Sequence, residues 1–151
     1  MKTLRTILFI LLLAPVMTAC GNSDVYDTVP DDMIRFITRY FPDPNIEYCH
    51  QADEPDGNWT VIIKNGPTFL FDNDGDWISV DGNGMPLPSI IAYDQFPPEL
   101  YDYIESGEYL NQIFSFSRTP LQYNVLLLKS QLTYDIASKT VEQHSVTPTD
   151  S

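Results

Sequence analysis

Two stretches of this 151-residue chain carry the same punctuation at nearly the same spacing. That internal duplication limits the available folds more than any other feature. The first copy opens on Pro30, followed by Asp31 and Asp32 in a first helical turn and apolar residues at Met33, Ile34, Ile37, Tyr40 and Phe41. Pro42 and Pro44 end this helix. From Ile46 the apolar period drops to two: Trp59, Val61 and Ile63 alternate with Thr60, Ile62 and Lys64. Asn65-Gly66 then predicts a type I′ hairpin, in which both central residues need positive φ. The return strand runs from Thr68 to Phe71, and Asp72-Asn73-Asp74-Gly75 turns into a strand from Asp76 to Asp81.

The second copy repeats this order. Pro97 opens a helix with Glu99 in its first turn and Leu100, Tyr101 and Ile104 on its apolar face, and Gly107 closes it. A shift of 67 aligns Pro30 with Pro97, Met33 with Leu100, Phe36 with Tyr103 and Ile37 with Ile104. A shift of 63 to 64 aligns Trp59 with Tyr123, Val61 with Val125, Ile63 with Leu127, Phe69 with Leu132, Phe71 with Tyr134 and Asp72 with Asp135. The slippage falls in the loop after the helix, where length changes are tolerated. Strands are expected at about 112–118, 122–128, 131–134 and 140–144. One helix and a small sheet cannot bury a core alone. The expected fold is therefore α+β: two tandem repeats of one helix plus about four antiparallel strands, fused into a continuous antiparallel sheet with the helices on one face and the other face open to water. The repeats span 29–81 and 96–144, joined by a linker at 82–95, and 145–151 reads as a disordered polar tail.

The N-terminus has a separate logic. Lys2 and Arg5 precede a nearly continuous apolar run from Ile7 to Val16, too short to span a membrane and suited to a signal-peptide core. It leads into Met17-Thr18-Ala19-Cys20, which resembles the lipobox of bacterial lipoproteins. That resemblance implies cleavage of residues 1–19, lipidation of Cys20 and anchoring to a membrane, with 20–28 as a tether. Gly21, where Asp would mark inner-membrane retention, favours the outer membrane of the cell envelope, facing either the periplasm or the surface. Removing nineteen residues takes two of the eight basic and none of the twenty-one acidic side chains, so the formal charge moves from −13 to −15. A nucleic-acid partner is excluded on those electrostatics. Once Cys20 carries lipid, Cys49 has no disulfide partner and reads as a small buried residue.

The helix from Val29-Pro30 to Phe41-Pro42, the Asn-Gly turn, the run Phe71-Asp72-Asn73-Asp74-Gly75-Asp76-Trp77 and their duplication resemble the PepSY-like lipoproteins of Gram-negative gut commensals, whose fold is related to the β-lactamase inhibitor protein. The resemblance covers residues 29–144. The second copy departs from it, lacking the Asn-Gly turn and keeping only Asp135 of the Asp-rich turn. It implies a tandem α+β architecture and inhibitor-like or peptide-binding use of the exposed sheet face.

Chemistry-bearing motifs are sparse. Asp72, Asp74 and Asp76 have the one-three-five spacing of a calcium loop, but Gly75 comes two positions early and Asn83 stands where a bidentate Glu belongs. A turn capped by Asx side chains explains the same residues, and no metal is expected. His50 and His144, the only histidines, have no Cys or carboxylate neighbours at ligand spacing. No nucleophile elbow and no phosphate loop is present, and no cofactor or catalytic residue is expected. Aromatics make up 13% of the chain. That excess points to Trp77, Tyr48, Phe114, Phe116 and Tyr134 as candidate protein-contact residues on the open face. Thr28, in Asp27-Thr28-Val29, resembles a bacterial O-glycosylation site. The expected function is a lipid-anchored, non-enzymatic module that binds an unidentified protein or peptide. A structural envelope lipoprotein without a discrete ligand and an uncharacterised enzyme are the alternatives.

Overall fold

The computed structural model describes residues 23–146. Among them the chain order is α1 (Ser23–Tyr26), α2 (Asp31–Tyr40), β1 (Ile46–Gln51), β2 (Trp59–Ile63), β3 (Thr68–Phe71), β4 (Trp77–Asp81), α3 (Ser89–Gln95), α4 (Pro98–Ser106), a 3₁₀ turn (Leu110–Gln112), β5 (Ile113–Arg118), β6 (Gln122–Leu127), β7 (Ser130–Asp135) and β8 (Thr140–Ser145). The strands form one open antiparallel sheet whose spatial order is their sequence order. A helix followed by four strands thus occurs twice. The two halves are stitched together where β4 meets β5, through the pairs Ser79–Ser117, Val80–Phe116 and Asp81–Ser115. No helix among the described residues is long and apolar enough to cross a membrane.

The alternating strands build the core. Val61, Phe69, Phe71, Val80, Phe116, Val125 and Leu132 turn to one face, where Met33 and Ile37 of α2, Ile91 of α3 and Leu100 and Ile104 of α4 cover them. Phe36 sets its edge against the rings of Phe69 and Phe71, the geometry that ring quadrupoles favour. At the start of α4, Lys139 donates to Glu99 Oε1 at 2.8 Å and the Tyr134 hydroxyl to Oε2 at 3.2 Å. With Lys139 the strongest cause, these contacts hold the Glu99 carboxyl below its ordinary range. They clasp the helix to the β7–β8 turn.

Three local features depart from the sequence-based expectations. The β2–β3 hairpin is not a two-residue type I′ loop, since Asn65 has φ 55° but Gly66 does not share the positive φ. A two-residue loop would need Pro67 to donate a backbone hydrogen bond, and proline has no N–H. The loop therefore runs from Lys64 to Gly66, closed by Ile63 N to Pro67 O and Gly66 N to Ile63 O, each 3.0 Å. A Cβ on Gly66 would come within 2.9 Å of Ile63 Cγ2, so the close approach needs glycine. The 82–95 stretch, expected to be linker, contains α3, whose Ile91 and Ala92 are fully buried. Seven residues give too few turns for a periodic signal. The expected tether is likewise structured at its C-terminal part: α1 is helical, Thr28 N bonds Val25 O, and Val29 is buried in the core. Cys20 and the leader lie outside the described residues, as do residues 147–151 of the expected tail.

Candidate functional site

Among the described residues no helix covers the face of the sheet opposite α2, α3 and α4. At about 4.8 Å between strands, eight strands make it far wider than any cleft on the molecule. Alternation and register place small polar residues over its centre: Thr60, Thr68, Ser79, Ser115, Ser117, Asn124 and Thr133. Thr133 Oγ1 donates to Asn124 Oδ1 across the strands at 3.1 Å. Where β4 to β7 curve, Ser79, Asp81, Ser117, Asn124, Leu126 and Gln131 line a shallow groove of about 290 Å³.

An apolar strip crosses the other end of this face. Tyr48 stands opposite Ile62, and Leu70 lies diagonally beside Ile62, since Ile62 faces Thr68 and Leu70 faces Thr60. Sequence reasoning missed Ile62, Leu70 and Leu126, although a signal was present. Each interrupts its strand's polar phase, giving the unbroken apolar runs Val61-Ile62-Ile63, Phe69-Leu70-Phe71 and Val125-Leu126-Leu127. In a strand with one wet face, the middle residue of such a run must meet water or a partner.

The five candidate aromatics do not come together. Tyr48 is on the open face, 44% exposed, its ring 6.1 Å from that of His50. Trp77, Phe116 and Tyr134 are 4%, 2% and 2% exposed, so the expectation that they contact a partner is corrected: all three belong to the core. For Trp77 the reason is a register shift, because Leu70 pairs with Ser79 but Phe71 pairs with Trp77. The skipped residue reverses the alternation and turns the indole inward. A second shift, between Ile113 and Ser115, separates Phe114 from Phe116 and leaves Phe114 half-buried. Tyr134 shares the inward phase of Leu132.

The indole of Trp77 instead joins the two halves. Its Nε1 donates to Gln95 Oε1 at 2.8 Å, and Gln95 Nε2 donates to the Tyr40 hydroxyl at 2.7 Å. Phe116 and Tyr123 meet the indole edge-on, and the Arg118 guanidinium lies 4.3 Å over it.

The Asp-rich segment forms an Asx turn. Asp72 Oδ1 accepts the backbone N–H groups of Asp74 and Asp76 at 3.0 and 2.9 Å, and Gly75 takes φ 89°. Among the described residues no three His, Cys, Asp or Glu side chains converge closely enough to hold a metal ion. His50 and His144 lie on the two edge strands, β1 and β8. Cys49 is half-buried, and burial pushes its thiol up, away from the reactive thiolate. The Thr28 hydroxyl donates to Val25 O at 2.7 Å. A separate cleft of about 540 Å³, bounded by Phe41, Pro42, Lys64, Pro67, Met85 and Pro88, opens between the end of α2 and the 82–88 loop.

No protein-family model matches the chain, and no curated protein is significantly similar to it. Solved structures are. A candidate calcium-regulated periplasmic protein of Bacteroides thetaiotaomicron superposes with a TM-score of 0.65 at 22% identity, covering 79% of this chain and 92% of that one. A candidate periplasmic protein of the DUF2874 family from Bacteroides vulgatus gives 0.64 at 22% identity, over 79% and 92%. A candidate periplasmic protein of unknown function from the same species gives 0.63 at 15% identity, over 79% and 94%. At these identities the likeness is one of fold.

Proposed function

We propose that this chain is a non-enzymatic protein of the cell envelope, anchored through lipid on Cys20, that holds a protein or peptide on the open face of its sheet. The observation that carries the reading is the strip of Tyr48, Ile62 and Leu70, apolar side chains on a face that no helix covers, beside a groove of hydroxyl and amide groups. Apolar anchors with a polar surround are the ordinary composition of a contact surface. The leader and lipobox-like Cys20 support the envelope location, and the periplasmic descriptions of the structural neighbours agree with it. The duplicated motif supports membership of the PepSY-like group, and the outer membrane is the membrane we propose.

The test uses a photo-crosslinking residue placed at Leu70 or Leu126 in the lipidated chain in its own envelope, with Glu105 on α4 as the helix-side control. Discrete adducts are expected from the two sheet positions and none from the control. Absence of adducts at both sheet positions would overturn the reading. A second reading, a structural lipoprotein without a discrete ligand, is favoured by one observation: three of the five candidate aromatics, Trp77, Phe116 and Tyr134, are buried in the core and do not reach the open face. The same absence of adducts would support it.

Calcium regulation, named for one neighbour, is not carried over. The Asp72 carboxylate already receives two backbone N–H groups, and among the described residues no group of three His, Cys, Asp or Glu side chains converges there. Calcium at 1 mM is therefore expected to leave the melting temperature unchanged. A site of about 10 μM affinity would add about 2.7 kcal/mol and raise it by several degrees. Such a rise, abolished in Asp74→Ala, would show that the residues do bind the ion.

A further inference from the structure

The two edges of the sheet are finished differently. Each edge strand has a helix against it, α1 on β1 and α4 on β8, but only β1 has a register shift, between Ile46 and Tyr48. β8 pairs with β7 along its whole length without a shift, from Ser130–Ser145 to Asp135–Thr140. It contains no Pro, Lys or Arg, and all of its residues except the half-buried Val141 are exposed. Bulges, prolines, lysines and covering elements are the devices that blunt a free edge. β8 has one charged side chain, Glu142, and no Pro, Lys or bulge.

The ladder tells which backbone groups of β8 are free. Val146 N donates to Lys129 O at 3.1 Å, and partners alternate along an antiparallel ladder. Residues 140, 142 and 144 therefore point their N–H and C=O groups toward β7, while Val141, Gln143 and Ser145 point theirs outward. The side chains divide by face. Glu142 and His144 lie on the open face, opposite Thr133 and Gln131. Gln143 lies under the helices, accepting from the Tyr103 hydroxyl and donating to Ser130 Oγ.

We propose that β8 pairs antiparallel with β8 of a second copy, about a twofold axis through Gln143, joining the two eight-stranded sheets into one. The register follows from two independent requirements. With Gln143 opposite itself, Val141 faces the partner's Ser145, so all three outward-pointing residues fall in hydrogen-bonded pairs. Within one chain Glu142 Oε2 already lies 3.6 Å from His144 Nε2, and the same register sets each Glu142 opposite the partner's His144 as well, twice. Moving the axis to Glu142 opposes like charges and leaves Ser145 without a hydrogen-bonded partner on the ladder; moving it to His144 opposes two histidines and leaves Val141 without one. Opposed unlike groups stabilise a cross-strand pair and like charges destabilise it. A second copy supplies partners for the outward backbone groups of this edge and keeps unlike side chains opposed in the same single register.

Sedimentation velocity of the chain as the cell processes it, purified in mild detergent, is expected to show a monomer–dimer equilibrium. Ser145→Pro and Gln143→Pro each remove an outward N–H while keeping the ladder to β7, a position where sheets tolerate proline. Each is expected to weaken the dimer by roughly tenfold or more, with thermal unfolding confirming the fold. Glu142→Lys is expected to weaken it as well, and adding His144→Glu to restore it. If one proline variant fails to fold, the charge pair still decides. A chain that stays monomeric at all concentrations, or a dimer indifferent to Ser145→Pro and Glu142→Lys, would overturn the proposal. Either result would leave the open-face reading standing.

Discussion

Replacing Phe69 with Ala is expected to remove about 3–5 kcal/mol of folding stability and to lower the melting temperature by roughly 10–20 °C. Phe69 is fully buried at the centre of the first half, and its ring meets those of Phe36, Phe41 and Phe71. Losing it forfeits the transfer free energy of the ring and leaves a void between α2 and β3 that close-packed neighbours fill only in part. The comparison is Leu121→Ala, at a side chain 73% exposed in the β5–β6 turn, which should stay within about 0.5 kcal/mol of the parent. Urea and thermal unfolding measure both. A Phe69→Ala variant no less stable than Leu121→Ala would show that the core is not organised around these rings.

Trp77→Ala is expected to cost a similar amount, about 3–5 kcal/mol. Trp77→Phe is expected to cost less, about 1–3 kcal/mol. The alanine variant loses the edge contacts with Phe116 and Tyr123 and the surface beneath Arg118. The phenylalanine variant keeps a smaller aromatic ring there and loses the indole N–H that Gln95 accepts, together with the packing of the five-membered ring. The two outcomes together separate packing from hydrogen bonding at the junction of the halves. Equal losses would mean that the Gln95–Tyr40 relay, and not ring packing, carries the residue's contribution. Neither variant should change cross-linking from Leu70 or Leu126 beyond what unfolding explains, because Trp77 is on the other side of the sheet.

Strand positions and order were legible because a single-sided sheet imposes a period of two and prolines mark the helix starts. Pro30 and Pro97 stand immediately before α2 and α4, and the alternation of Trp59 to Ile63 and of Gln122 to Leu127 gives each strand and its phase. The misreadings at Trp77, Phe116 and the first hairpin share one physical origin: they depend on single residues that change the local count. The residue skipped between Trp77 and Ser79 sends Trp77 inward, and the shift between Ile113 and Ser115 separates Phe114 from Phe116 in the same way. Neither leaves a composition signal. Pro67 did leave one, since its missing N–H rules out the two-residue hairpin, but that requires following the donor and not merely noting the dipeptide before it. α3 was hidden by its length and by the prolines at 86 and 88 that precede it. For the candidate surface, Tyr48 does lie exposed on the open face, whereas the apolar strip around it was encoded in uninterrupted runs that resemble core.

The strictly sequential strand order has a consequence for how the chain acquires its structure. Each strand pairs with the one made just before it, so no strand waits for a distant partner and no segment has to cross back over the sheet. A chain delivered N-terminus first can assemble one hairpin at a time, at the low closure entropy that short connections allow. The growing sheet then always has one unfinished strand at its advancing margin. Among the described residues that margin is β8, the last strand in the order.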